Sequence, residues 1–121
     1  MKDCIFCKII NNEIKSYKVY EDDIVLAFLD LFPKSMGHTL IVPKKHVTDL
    51  NDIDMKTLNH IFEKAKILQK TIYEKLEADG LVLMQNNGSA QEVKHFHLHL
   101  IPEYKNKQKN IALEEIHTIL T

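Results

Sequence analysis

The stretch VKHFHLHLIP, residues 93–102, places His95, His97 and His99 on every second position. A neutral imidazole can attack phosphorus, hold a proton, or donate to a phosphate oxygen. On a β-strand, side chains alternate faces. The three histidines therefore share one face, and Phe96, Leu98 and Leu100 share the other. The apolar face can anchor the strand to a core. The histidine face must meet polar groups, because three stacked imidazoles are costly in a dry interior. Same-face neighbours lie ~6.8 Å apart, so His95 and His99 are separated by ~13 Å at their Cα atoms. One metal ion with bonds of ~2.1 Å can bridge two such neighbours but hardly three. The three rings are expected to do different work.

A second candidate is Cys4-x-x-Cys7, the only cysteines of the chain. In a reducing compartment this spacing suits a metal half-site or a redox pair better than a structural disulfide. A thiol redox protein would carry a strand just before the pair, and none is read there.

The elements that must position these groups follow from the apolar pattern. Ile5, Phe6, Ile9 and Ile10 recur at helical spacing and predict a short opening helix. KVYEDDIVLAFLD reads as a hairpin turning at Asp22-Asp23. LFPKSMGH, broken by Pro33 and Gly37, is a loop. HTLIVP is a third strand, stopped by Pro43. Residues 53 to about 78 carry one apolar stripe through Leu58, Ile61, Phe62, Ala65, Leu68, Ile72 and Leu76, and so predict the longest helix. Asp52 or Asp54 can cap its start, with Gly80 just past its end. LVLMQ reads as a buried strand, NNGSAQE as a polar loop, and VKHFHLHLI as the last strand. Residues 105–110 form a polar, mobile patch, and 111–120 a terminal helix. These elements predict one α+β domain over residues 1–121, with a mainly antiparallel sheet, one long helix and short terminal helices.

Bulk properties narrow the function. Sixteen basic and seventeen acidic residues leave a net charge of −1, and the basic residues form no long run. Attraction to nucleic acid is not indicated. No segment approaches the roughly 18 uninterrupted apolar residues of a membrane span, and MKDCIFCKII has no long apolar run and no small-residue cleavage site. A soluble cytoplasmic protein is expected.

His95-Phe-His97-Leu-His99-Leu-Ile resembles the signature of the histidine triad (HIT) superfamily. CIFCKII, AFLD, GHTLIVPKKH and the NNG loop fall in that family's order, so the likeness spans nearly the whole chain. It is similar to a short bacterial-type member of the Hint branch. The resemblance implies a HIT-like fold and a nucleotide-binding hydrolase or transferase. Its substrates would be purine nucleoside phosphoramidates or related nucleotidyl conjugates, attacked at the α-phosphate. His97 would be the nucleophile, forming a nucleotidyl-histidine. His99 would contact the phosphate, and His38 would support the network. Asp30 would take the ribose hydroxyls. Ile5, Phe6, Ile9, Phe28, Leu29 and Leu31 would form an apolar base slot, although core packing alone also accounts for such residues. Asn86 and Gln91 would touch phosphate oxygens. Cys4, Cys7, His46 and His95 would hold a structural zinc, no cofactor serving the chemistry itself. A homodimer is typical of the branch, and the long helix with LVLMQ could supply its interface.

Two departures from the family pattern stand out. The phosphate loop is about two residues short, with Ala90 where glycine is usual, and alanine tolerates positive φ poorly. Glu92 stands where Ser or Thr is frequent, and a carboxylate beside a phosphate repels it. These departures keep a second reading open, a nucleotide-binding regulatory protein with little catalysis. A His-x-His metalloenzyme is a third, weakened because no carboxylate follows the triad closely.

Overall fold

Val25–Leu29 and Thr39–Pro43 are buried at every position. Strands apolar on both faces need cover on both faces. The computed structural model, which describes residues 3–106 and 111–121, supplies it. The described elements run α1 (Ile5–Ile10), β1 (Lys18–Glu21), β2 (Val25–Leu29), β3 (Thr39–Pro43), α2 (Met55–Leu76), β4 (Gly80–Met84), β5 (Leu98–Glu103) and α3 (Leu113–Leu120). A short 3-10 turn, Gly88–Ala90, lies between β4 and β5. The five strands form one sheet in the order β1-β2-β3-β5-β4. Every neighbouring pair is antiparallel. This is the α+β architecture expected from the pattern.

Strand alternation divides the core in two. Val25, Ala27, Leu29, Ile41, Phe96, Leu98 and Leu100 pack with α2 and α3 residues such as Ile61, Ile72 and Ile116. Leu26, Phe28, Leu40 and Val42 point to the other face, where Phe6 and Ile9 of α1 cover them. The chemistry-bearing side chains lie on that second, thinly covered face.

Local signals explain most ends. Asp54 caps α2 by accepting from the Thr57 N–H at 3.1 Å. Asp52 instead closes the preceding turn, taking the Thr48 and Asp49 N–H groups. Asp22 accepts from Ile24 and Val25 N–H, which makes the β1–β2 turn. Gly37 holds φ +88°, and a Cβ there would sit 2.5 Å from Leu76 Cδ1. Only glycine fits, and the next residue is His38.

Four readings need correction. The helix predicted over 53–78 is shorter at both ends, and Glu77 rather than Gly80 takes the left-handed position at its C-terminus. Gly80 opens β4 instead. LVLMQ is not a buried strand: β4 is a sheet edge, with Val82 43% and Leu83 47% exposed. The last strand begins at Leu98, so His95 and His97 precede it. Phe96 N–H still reaches the Val47 carbonyl at 2.8 Å, which ties that segment to the chain after β3. Of the polar patch over 105–110, residues 107–110 lie outside the described residues, while the Lys105 N–H donates to Asp79 at 2.7 Å. Among the described residues no helix is long and apolar enough to cross a membrane.

Candidate active site

A cavity of about 410 Å³ opens between α1, the strand ends and the histidine segment. That volume suits a small ligand of mononucleotide size. Its apolar wall is Ile5, Phe6, Ile9, Phe28, Leu29 and Leu31. Phe6, Ile9, Phe28 and Leu29 are buried, while Ile5 and Leu31 are about half exposed at the rim. Asp30, His38, His97, His99 and Asn86 line the same cavity. Phe6 packs edge-on against both Phe28 and His97, with centroids 5.6 and 5.0 Å apart.

Hydrogen bonds fix what each ring nitrogen can do. His97 Nδ1 lies 2.8 Å from the His95 carbonyl. A carbonyl only accepts, so Nδ1 carries the proton and Nε2 keeps a lone pair. Lys34 N–H donates to His38 Nδ1 at 3.1 Å. His38 Nε2 is therefore protonated, and it donates to His99 Nδ1 at 2.9 Å. That leaves His99 with its proton on Nε2. One cavity wall thus carries a nucleophilic nitrogen at His97 and an N–H donor at His99. Their rings are 4.9 Å apart.

Both relay rings are kept neutral. Burial lowers His38, against the pull of the Asp30 charge. Burial, then His97 and His38 beside it, brings His99 down to about 4. Protonation of either ring would break the ordered chain of donors.

Asp30 does two things. Its Oδ1 accepts from the Phe32 N–H at 2.9 Å and caps the turn after β2. Its Oδ2 is 3.6 Å from His38 Nε2, and the residue lines the cavity. One oxygen remains for a ligand.

The loop before the histidines is rebuilt as its short length requires. Gly88 takes φ +58°, while Ala90 sits in the 3-10 turn and is not among the positive-φ residues. Gln91 is not in the cavity wall. It is buried, and its Nε2 donates to the Thr48 carbonyl at 2.6 Å. Glu92 does line the cavity. Pattern reading also missed Ser16, Lys15, Lys34 and Phe32, which line the cavity together with Leu40, Met84 and Val93. Phe32 is 88% exposed at the rim, an unusual state for phenylalanine. No local spacing marks Lys15, Ser16, Phe32 and Lys34, because their position comes from the segments beside β1 and β2.

Cys4, Cys7, His46 and His95 come together although they are spread over 91 residues. Cys4 Sγ to His95 Nδ1 is 3.3 Å, Cys7 Sγ to His46 Nδ1 3.3 Å, and the two Nδ1 atoms are 3.1 Å apart. A tetrahedral ion with bonds of ~2.3 Å to sulfur and ~2.1 Å to nitrogen separates its ligands by about 3.4–3.8 Å. His95 Nε2 donates to the Pro43 carbonyl at 2.8 Å, so Nδ1 offers its lone pair to the cluster. This group could hold a metal. A second group, Asp30, His38 and His99, also lies within ligand range. It fits a metal poorly, since His38 Nε2 already carries a proton donated to His99.

Known proteins resemble this chain over most of its length. The adenosine 5'-monophosphoramidase HNT1 of Saccharomyces cerevisiae is 44% identical over 86% of this chain and 65% of its own length. The adenylylsulfatase HINT3 of Arabidopsis thaliana is 39% identical over 83% of this chain and 52% of its own length. A Zn-bound histidine triad family protein from Mycobacterium smegmatis superimposes with a TM-score of 0.90 at 32% identity, covering 98% of this chain and 91% of that one. The HIT domain family model matches residues 11–106, and the chain belongs to the HIT family.

Proposed function

We propose that the protein is a nucleotide hydrolase that cleaves purine nucleoside phosphoramidates, or related nucleotidyl conjugates, at the α-phosphate. The observation that carries this reading is the tautomer pattern, with His97 Nε2 unprotonated beside the His99 Nε2–H on one cavity wall. His97 Nε2 attacks the α-phosphorus and forms a P–N bond. The bond to the leaving amine breaks, and the amine takes up a proton. The His95 carbonyl on Nδ1–H supports the positive charge that the ring acquires. His99 Nε2–H donates to a phosphate oxygen, and the apolar wall holds the base. Water then cleaves the nucleotidyl-histidine, releasing the nucleoside monophosphate and restoring His97. The relatives named as a monophosphoramidase and an adenylylsulfatase support this class of reaction.

A structural zinc on Cys4, Cys7, His46 and His95 belongs to the same proposal. The Zn-bound neighbour and the ligand spacing support it. It would pin α1, which supplies Ile5, Phe6 and Ile9 to the base slot, and it takes no part in bond breaking. A homodimer through the free edge of β4 completes the reading. Glu92 in the cavity wall favours a second possibility, nucleotide binding with little turnover.

Turnover of adenosine 5'-phosphoramidate separates the two, and His97→Ala tests the mechanism. The variant should lose activity by at least 100-fold, more than about 2.7 kcal/mol of transition-state stabilisation, while still binding AMP. A variant keeping a tenth of wild-type activity would sink the covalent route.

A further inference from the structure

Ser16 stands in the extended segment between α1 and β1 and lines the candidate nucleotide cavity. Its hydroxyl oxygen is shut off from solvent and has no hydrogen-bond partner within the protein. Buried hydroxyls are rarely left so, because each loses water without compensation. Gln91 Oε1 is in the same state, but that amide is anchored through its Nε2 on Thr48. Ser16 Oγ has no such anchor.

The position is held firmly. Ile14 packs into the α1 side of the core and Tyr17 into the α2 side. The Leu29 N–H donates to the Tyr17 carbonyl at 3.0 Å, which ties the segment to β2 beside Phe28. Phe28 and Leu29 are walls of the apolar slot. The hydroxyl can swing about one side-chain torsion, whereas its backbone cannot drift.

The rest of the slot has little with which to read a base. Its buried walls are hydrocarbon and aromatic. Of the other polar groups lining the cavity, His38, His97, His99, Asp30 and Asn86 serve the phosphate and ribose side of the proposed site, and Lys15, Lys34 and Glu92 are exposed. We infer that Ser16 is a base-reading residue, its hydroxyl forming a hydrogen bond with the polar edge of a purine held between Phe6, Ile9 and Phe28. This rests on the nucleotide reading of the cavity. A hydroxyl both donates and accepts, so it serves an amino or a keto edge. It therefore selects bases with a polar edge without separating adenine sharply from guanine.

The test is Ser16→Ala, read in three ways. Affinity for AMP by titration calorimetry should fall roughly 5- to 10-fold, as for loss of one hydrogen bond. Tm of the free protein should hold or rise, because the substitution removes a buried hydroxyl without a partner. For adenosine 5'-phosphoramidate, KM should rise while kcat stays unchanged. Unchanged AMP affinity would overturn the assignment. A fall in Tm alongside the affinity would overturn it too, by showing that the hydroxyl serves the fold. Wild-type protein that binds neither AMP nor GMP would defeat the nucleotide reading itself, an outcome separate from any effect of the substitution.

Discussion

His99 shows how burial sets chemistry at one residue. Its imidazole is held near 4 by burial and by His97 and His38, while Asp30 opposes the shift and Lys34 adds to it. An exposed imidazole titrates near about 6.5. The folded state therefore disfavours the proton that the unfolded chain accepts. Its contribution to stability is complete above the unfolded value and is lost as pH falls from about 6.5 to about 4. His99→Gln removes that titration. The Tm gap between wild type and variant should narrow across this window in melts taken from pH 7.5 down to 4.5. A constant gap would show that His99 is not held neutral by its surroundings. The alternation of residues 95–99 revealed which rings share a face. It did not reveal their tautomers, because the deciding partners are a Lys34 backbone N–H and a His38 ring 61 residues away.

At the scale of elements, α1 is the part most in need of an external tie. Six residues are too few for a helix to stand alone in water. Cys4 caps it, its Sγ accepting from the Cys7 N–H at 3.3 Å. Phe6 and Ile9 give it an apolar footing on Leu26, Phe28, Leu40 and Val42. Burial, and then Cys4 beside it, push the Cys7 thiol up, a strain that a bound cation would relieve. Purified protein should contain about one zinc per chain by elemental analysis. Cys4→Ser should lose the metal, drop Tm by roughly 10 °C, and weaken AMP binding because three slot residues ride on α1. Metal-free wild type with an unchanged Tm would remove the zinc from the proposal. Helical spacing at Ile5, Phe6, Ile9 and Ile10 was enough to predict this helix. The meeting of its cysteines with His46 and His95 was visible only through family resemblance, since nothing local joins position 4 to position 95.

For the whole molecule, the open question is the edge of the sheet. β4 leaves one side unpaired and exposes Val82 and Leu83. On α2, Phe62 and Tyr73 are also more than a third exposed. An unpaired apolar edge invites pairing with another chain, and a lysine there blocks it. Wild-type protein should sediment at twice the 14.1 kDa chain mass, and Leu83→Lys should sediment as the monomer. A monomeric wild type at tens of micromolar would refute the homodimer.

The sequence by itself determined the strand and helix order, the apolar faces, the turn at Asp22, and the shared face of three histidines. Each depends on period, or on a partner two to four residues away, and such information is local. Tertiary structure decided the rest. It placed β4 at an edge rather than inside, because strand order depends on which long-range pairings close the sheet. It turned Gln91 away from the cavity and set Ser16 into it without a partner. It gave Asp30 both a turn to cap and a cavity to face. Those outcomes depend on which polar atoms remain unpaired after the chain has packed, and that is a property of the folded whole.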